Sequence, residues 1–146
     1  MPALNVNMVS VGISAADLKA LHSAPRELVA APGPNKYIEL LTWRLFYRFG
    51  TVQYTGGGFT RFTYGGANTY PSSPMAAPSA IDFKLGVSAQ SYGSGWIESG
   101  SAAPELVATS GIVNKSLTLA DLQSDYADGD GDAIVGLCYR IIDMPS

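Results

Sequence analysis

The chain has 146 residues, of which 47% are hydrophobic and only 14% are charged, and its formal net charge at pH 7 is −3. This length is sufficient for one domain with a hydrophobic core. Because the nine lysines and arginines are not clustered, the sequence argues against nucleic-acid binding through phosphate neutralisation. No apolar run approaches the ~20 residues that a membrane-spanning helix needs. Neither nucleic acid nor a membrane is therefore expected as a partner.

The N-terminal segment predicts an extended stretch followed by one short helix. Residues 1–13 alternate weakly between apolar and polar side chains, which is typical of an edge strand or an arm. A helix is then predicted over residues 15–22, with Ser14 as the N-cap, Asp17 as its capping-box partner and Pro25 as the stop. No basic region precedes a long apolar stretch, so we expect no signal peptide.

Residues 27–49, ELVAAPGPNKYIELLTWRLFYRF, are the most informative stretch. A short strand over residues 27–31 ends at Pro-Gly-Pro, which predicts a rigid corner. From Lys36 onward the hydrophobic period is two, which predicts one long strand of about thirteen residues, ~43 Å at ~3.3 Å per residue. The side chains that we expect this strand to bury are Tyr37, Leu41, Trp43 and Leu45.

The rest of the chain predicts further short strands and two long loops. Two strands are expected on either side of Gly56-Gly57-Gly58, with the triple glycine as a hairpin tip. The other predicted strands are residues 81–89, 105–109, 111–114, 115–120 and 133–143. The predicted loops, rich in Pro, Ser, Gly and Ala, are residues 65–80 and 90–104.

About eight strands, one short helix and no βαβ alternation indicate an all-β fold. We predict a single domain built as an antiparallel β-sandwich or jelly-roll-like fold. Residues 1–13 are the N-terminal arm or edge strand of this arrangement, and residues 14–146 are the sandwich domain.

The acidic segment DYADGDGDA, residues 125–133, partly matches a calcium loop. Asp128, Asp130 and Asp132 have the one-three-five spacing of oxygen ligands. The match then fails, because the sixth position is Ala133 instead of Gly and the twelfth is not acidic. We interpret the segment as a Gly/Asp turn between strands, with a structural or adventitious cation as the alternative.

No residue pattern in the chain predicts catalysis. His22 is the only histidine and Cys138 the only cysteine. Cys138 lies in an apolar run, so we expect a buried thiol from a reducing compartment rather than a nucleophile paired with His22. Nucleophile-elbow, zinc-protease and phosphate-loop patterns do not occur. We therefore predict a protein that is not an enzyme, with no catalytic residue, no cofactor and no bound metal.

Aromatic residues offer one further binding hypothesis. A sugar-binding platform of ring faces is one interpretation, and burial in the core or in an interface is the preferred one. The residues concerned are Tyr47, Tyr54, Tyr64, Tyr70, Tyr92 and Trp96.

Two stretches resemble a family of tailed-bacteriophage virion proteins. The first is ADLKALHSAPRELVAAPGPNKYIELL, followed by aromatic residues and YTGGG; the second is NKSLTLADLQSDYADGDGDAIVGLCYRIID. The resemblance covers roughly residues 15–56 and 112–143. Within that class, the size and the predicted β fold look like capsid decoration (cement) proteins.

This resemblance implies a location and partners. The chain is expected in the virion, on the capsid surface, assembled in the host cytoplasm. Its expected partner is the major capsid protein, and it is expected to form a homotrimer. The capsid contacts are expected from residues 1–13 and from the two long loops, so that a chain lacking residues 1–13 would fold yet bind capsids poorly. The alternatives are a tail, baseplate or fibre-associated virion protein, and a carbohydrate-binding module on a β-sandwich.

Overall fold

The computed structural model describes residues 5–58, 60–66, 91–96 and 112–144. This part of the chain contains one short helix and nine strands, and all paired strands are antiparallel. The elements in chain order are β1 (Asn7–Ile13), α1 (Ala15–Lys19), β2 (Arg26–Val29), β3 (Lys36–Arg48), β4 (Thr55–Gly56), β5 (Thr60–Tyr64), β6 (Ser91–Trp96), β7 (Leu117–Asp121), β8 (Tyr126–Ala127) and β9 (Asp132–Asp143). The predicted all-β fold with one short helix is confirmed.

The strands form three sheets with one shared core. The four-stranded sheet has the order β1-β9-β3-β6, the three-stranded sheet β2-β7-β5, and a two-stranded ribbon joins β4 to β8. Side chains from the two larger sheets meet: the ring of Trp43 on β3 packs 5.7 Å from that of Phe62 on β5. The Tyr64 hydroxyl on β5 also donates to the carbonyl of Ile38 on β3 at 2.5 Å. Both larger sheets therefore contribute side chains to one hydrophobic core.

Helix α1 begins where the sequence predicts. The Ser14 hydroxyl accepts from the N–H of Asp17 at 3.1 Å, and the Asp17 carboxylate accepts from the N–H of Ser14 at 3.3 Å. This reciprocal capping box satisfies two N–H groups of the first turn. The helix ends at Lys19, earlier than predicted. The N–H groups of His22 and Ser23 bond instead to the carboxylate of Asp125, a distant partner that turns the chain out of the helix.

Strand β3 has the predicted start and length, but the side that it buries changes midway. Leu40 pairs with Tyr139 and Thr42 with Cys138, which leaves Leu41 as an extra residue in the register. Such a β-bulge reverses the alternation of side chains between the two faces. Ile38 and Leu40 are buried before the bulge, and Trp43, Leu45 and Tyr47 after it.

The expected burial of β3 is therefore half correct. Trp43 and Leu45 are buried, at 7% and 5% exposure, as predicted. The prediction is wrong for Tyr37 and Leu41, which are only half-buried. Strict alternation assigned all four residues to one face, and the bulge at Leu41 moves the first half of the strand out of that phase.

The triple glycine does not form a hairpin tip. Strands β4 and β5 flank it but pair with β8 and β7, which belong to different sheets. The chain therefore crosses from one sheet to another at Gly56-Gly57-Gly58, and all three residues have positive φ values of 71°, 57° and 136°. This backbone conformation explains the need for glycine at these positions.

Two further predictions are corrected by the sheet pairing. Residues 91–96 form β6 inside the predicted loop 90–104, because they pair residue by residue with β3. Such pairing overrides local turn signals. Residues 112–114 form a turn instead of a strand. The predicted strands over residues 81–89 and 105–109, and nearly all of the predicted loop 65–80, lie outside the described residues.

Candidate binding surface

The four-stranded sheet has one face in the core and one face that points away from it. Direct pairing places the side chains of this outer face in three rows across β1, β9 and β3. The rows are Met8–Cys138–Thr42, Ser10–Gly136–Arg44 and Gly12–Ile134–Phe46. Their neighbours along the strands, such as Leu45 and Val135, point into the core and are buried.

The outer face exposes large apolar side chains. Met8 is 81% exposed, and Phe46 and Ile134 are each 40% exposed. These three are half of the six large hydrophobic residues that the described part of the chain exposes. Phe46 and Ile134 are paired neighbours, and Met8 lies two rows away on the same face. Exposed apolar side chains on one face of a sheet make it a candidate contact surface for another protein.

A shallow groove crosses the middle row of the outer face. Its volume is about 460 Å³, and its lining residues are Met8, Val9, Ser10, Thr42, Arg44, Gly136, Leu137 and Cys138. Gly136 leaves the floor of the groove open because it has no side chain. A Cβ added there would lie 3.9 Å from the Cβ of Arg44 and would narrow the groove.

The charges of the outer face are unevenly compensated. At one end of β3, Arg48 donates two hydrogen bonds to Asp132, at 2.8 and 2.6 Å. At the other end, Arg140 donates two to Glu39, at 3.1 and 2.7 Å. Among the described residues no carboxylate bonds to Arg44, which is exposed between these pairs. Within the described ranges, the charge of Arg44 at the centre of the face therefore has no carboxylate partner.

The acidic segment is a Gly/Asp turn whose carboxylates have separate partners. Asp128, with a left-handed φ of 66°, accepts from the Thr55 hydroxyl at 2.6 Å. Asp130 accepts from the Thr51 N–H and hydroxyl, at 2.7 and 2.5 Å, and from the N–H of Val52 at 2.9 Å. Asp132 bonds to Arg48, as described above. Within the described ranges, no three His, Cys, Asp or Glu side chains are grouped to hold a metal ion.

These hydrogen bonds change the protonation of the acidic segment. The hydroxyl and N–H groups of Thr51 and Val52 lower the pKa of Asp130 to about 2, because they stabilise its charged form. The hydrogen bond and charge of Arg48 lower the pKa of Asp132. The N–H of Ser23 is the main cause that lowers the pKa of Asp125. The chain around Asp125, Asp130 and Asp132 therefore favours the charged form of these three carboxylates.

A buried aspartate that the sequence analysis missed connects several loops. Asp121, 2% exposed, ends β7. Its Oδ2 accepts from the Gly58 N–H at 3.1 Å and the Thr60 hydroxyl at 2.9 Å. Its Oδ1 accepts from the N–H groups of Gln123 and Ser124 at 2.9 and 3.1 Å. The local Asp-x-Gln-Ser spacing indicated a turn, but only the fold shows the bonds to Gly58 and Thr60.

The structure does not bring His22 and Cys138 together. His22 lies in the turn after α1, where its Nδ1 is 2.8 Å from the carbonyl oxygen of Asp121. Cys138 lies in the middle of β9, between Met8 and Thr42. Cys138 is half-buried instead of fully buried, because it is on the outer face of the sheet. The two side chains belong to different parts of the fold and form no nucleophilic pair.

Three of the aromatic residues considered for sugar binding are in the core. Tyr47, Tyr54 and Tyr64 are each less than 5% exposed. The Tyr54 hydroxyl donates to the Gly131 carbonyl at 2.5 Å, and burial raises the pKa of both Tyr54 and Tyr64. These three rings are therefore not available to a sugar-binding platform, and the preferred interpretation, burial in the core, is confirmed for them. Tyr70 lies outside the described residues, and Tyr92 and Trp96 are described only by their backbone positions in β6.

The chain was compared with protein-family models, curated proteins and solved structures, and none of them matches it. No helix within the described ranges is long and apolar enough to cross a membrane.

Proposed function

We propose that this protein is a tailed-bacteriophage capsid decoration (cement) protein that binds the major capsid protein on the outside of the head. Its role is adhesion that stabilises the shell, not catalysis. The observation that best supports the proposal is the outer face of the four-stranded sheet. It combines exposed Met8, Phe46 and Ile134 with a groove lined by Arg44, which has no carboxylate partner among the residues that the structure describes.

The chemistry of the outer face fits adhesion. Full burial of an apolar side chain contributes ~1.5–3 kcal/mol, so three such side chains give a useful but modest contact. A carboxylate on the partner would complete an ion pair with Arg44 and orient the contact. Because this chain is proposed to bind the assembled shell and not the dissociated subunits, its binding shifts the equilibrium away from disassembly.

The assembly proposed for the free protein is a homotrimer. Three linked copies would convert three modest contacts into strong attachment through avidity. We interpret the two larger sheets, which share the core between Trp43 and Phe62, as the two layers of a β-sandwich. This architecture holds the outer face rigid, so little conformational entropy is lost when it binds.

Co-sedimentation with heads assembled without this chain tests the proposal. A Phe46→Ser, Ile134→Ser double variant should lose at least about tenfold in affinity, since it removes two of the three exposed apolar side chains of the outer face. Val52→Ser is the matched control, because Val52 is 45% exposed but lies outside the outer face. If the double variant binds as tightly as the control, the outer face is not the contact. If the unchanged protein does not bind heads, the proposed function is wrong.

Two alternatives have their own tests. A tail, baseplate or fibre-associated role predicts that a labelled chain is seen by electron microscopy on the tail and not on the head. A carbohydrate-binding module predicts binding on a glycan array that is lost in Trp96→Ala. The burial of Tyr47, Tyr54 and Tyr64 leaves fewer rings for such a module.

A further inference from the structure

Strand β1 is an edge of the four-stranded sheet in the part of the chain that the structure describes. It pairs with β9 over its whole length of seven residues, without a bulge. Its residues alternate: Val9, Val11 and Ile13 pack on the core, while Met8 and Ser10 are exposed on the outer face. Among the described residues, the backbone N–H and C=O groups of β1 on the side away from β9 have no strand partner and form an open row.

In the described part of the chain, this edge lacks the features that normally block strand pairing. Natural sheet edges are protected by lysine or other charges, by proline, by bulges, by being very short, or by a helix or loop that covers them. Strand β1, NMVSVGI, has no charged residue and no proline, and its register with β9 is uninterrupted. An open row of this kind pairs most favourably with another extended strand.

The sequence of β1 is complementary to itself in the antiparallel direction. Pairing centred on Ser10 keeps both cores on the same side of the joined sheet, because paired residues share a face. It places Met8 opposite Gly12 of the second copy, so that a large side chain lies beside a residue without one. It also places Val9 opposite Val11 of the second copy, which is a favourable pair of β-branched side chains. No like charges meet. We propose that β1 pairs with β1 of a second copy about a two-fold axis at Ser10, which joins two four-stranded sheets.

The contact is independent of the function proposed above. A two-fold contact uses the same strand from both copies, whereas a cyclic trimer needs two different surfaces. A three-fold contact elsewhere would leave β1 free to link one trimer to another. The strand pairing therefore predicts a pair of chains whether or not the protein also forms trimers or binds capsids.

Disulfide cross-linking tests the geometry. In a Cys138→Ser background, Ser10→Cys places two thiols on the two-fold axis. Diamide accepts the two electrons and two protons that leave when the disulfide forms. Gel electrophoresis should show most of the chain as a covalent dimer at micromolar concentration. Ser23→Cys is the control, because Ser23 is also exposed but lies in the turn after α1. Cross-linking of Ser10→Cys no faster than that of the control would overturn the proposal.

A second variant tests the contact without cross-linking. Ser10→Lys introduces two like charges at the axis and should raise the dissociation constant of the pair at least about tenfold in sedimentation equilibrium. Ser23→Lys adds the same charge and should leave the constant unchanged. Circular dichroism checks that both variants are folded. An unchanged protein that shows no pairing at any concentration up to the millimolar range, or a Ser10→Lys variant that pairs like the control, contradicts the proposal.

Discussion

Trp43 is the largest side chain that β3 contributes to the core, and its contact with Phe62 joins the two larger sheets. Trp43→Ala should lower the free energy of unfolding by roughly 3–5 kcal/mol, because it leaves a cavity between them. Its indole N–H has no hydrogen-bond partner among the described residues. Trp43→Phe, the matched control, should therefore cost less than about 2 kcal/mol. Urea denaturation measures both, and equal losses would show that the ring volume is not what stabilises this site.

Asp121 is the second residue whose environment makes a sharp prediction. Removal of its carboxylate leaves the N–H groups of Gly58, Gln123 and Ser124 and the Thr60 hydroxyl without their acceptor. Asp121→Ala should therefore destabilise the protein by roughly 3 kcal/mol or more. Asp128→Asn removes one exposed charge but keeps a residue that tolerates the left-handed backbone there, and it should cost about 1 kcal/mol or less. Similar losses for the two variants in chemical denaturation would contradict this account.

The bulge in β3 can be tested by two adjacent leucines. Leu40 is 2% exposed, whereas Leu41 is half-buried. Leu40→Ala should cost about 2–5 kcal/mol, and Leu41→Ala clearly less, because only the first leaves a buried cavity. If denaturation curves show that Leu41→Ala loses more free energy of unfolding than Leu40→Ala, the side chains of β3 alternate strictly and the bulge is wrong.

The acidic segment predicts how stability depends on pH. The pKa of Asp130 is lowered to about 2, and those of Asp125 and Asp132 are also lowered. A depressed folded-state pKa contributes stability that is present above the unfolded value, near 4, and is lost as the pH falls through the folded value. Thermal stability should therefore fall between about pH 4 and pH 2. Asp130→Asn should make this fall shallower, and an identical profile for the variant would contradict the assignment.

The hydrogen-bond partners of the acidic segment also predict that it binds calcium weakly. The three candidate ligands already accept hydrogen bonds from different groups. Asp128 accepts from Thr55, and Asp130 accepts from Thr51 and Val52. Asp132 accepts from Arg48. To gather the carboxylates around one ion would break these bonds. Titration calorimetry should therefore detect no micromolar calcium affinity. Micromolar binding that disappears in Asp130→Ala would overturn this interpretation.

At the scale of the whole molecule, the structure changes the expectation for truncation. Residues 7–13 form β1, whose Ile13 is 1% exposed and whose Val9 and Val11 pack on the core. Deletion of residues 1–13 removes these side chains and exposes the edge of β9, so it should destabilise the protein by several kcal/mol. Val6→Ser, which changes an exposed residue just before β1, should leave the thermal midpoint unchanged. Equal midpoints for the truncated protein and the Val6→Ser variant would show that β1 is a dispensable arm.

The local features of this fold were predictable from the sequence, and the long-range ones were not. Ser14 and Asp17 form the expected capping box, Lys36 begins the expected long strand, and residues 132–143 close the chain as a strand. These features depend on neighbours in the sequence, on the period of apolar residues and on turn chemistry. The all-β class followed from the same signals.

Tertiary contacts determined the rest. Where β3 changes its buried side depends on its register with β9, a strand nearly a hundred residues later in the chain. The N–H groups of His22 and Ser23 donate to the carboxylate of Asp125, about a hundred residues later in the chain. Gly58 and Thr60 donate to Asp121, which the fold brings to them from about sixty residues away. The outer face likewise exists only because pairing sets Ile134 beside Phe46, and Met8 beside Cys138, on one side of the sheet. Local pattern reports which side chains prefer burial, but the neighbour that each one meets is decided when the strands pair and close the core.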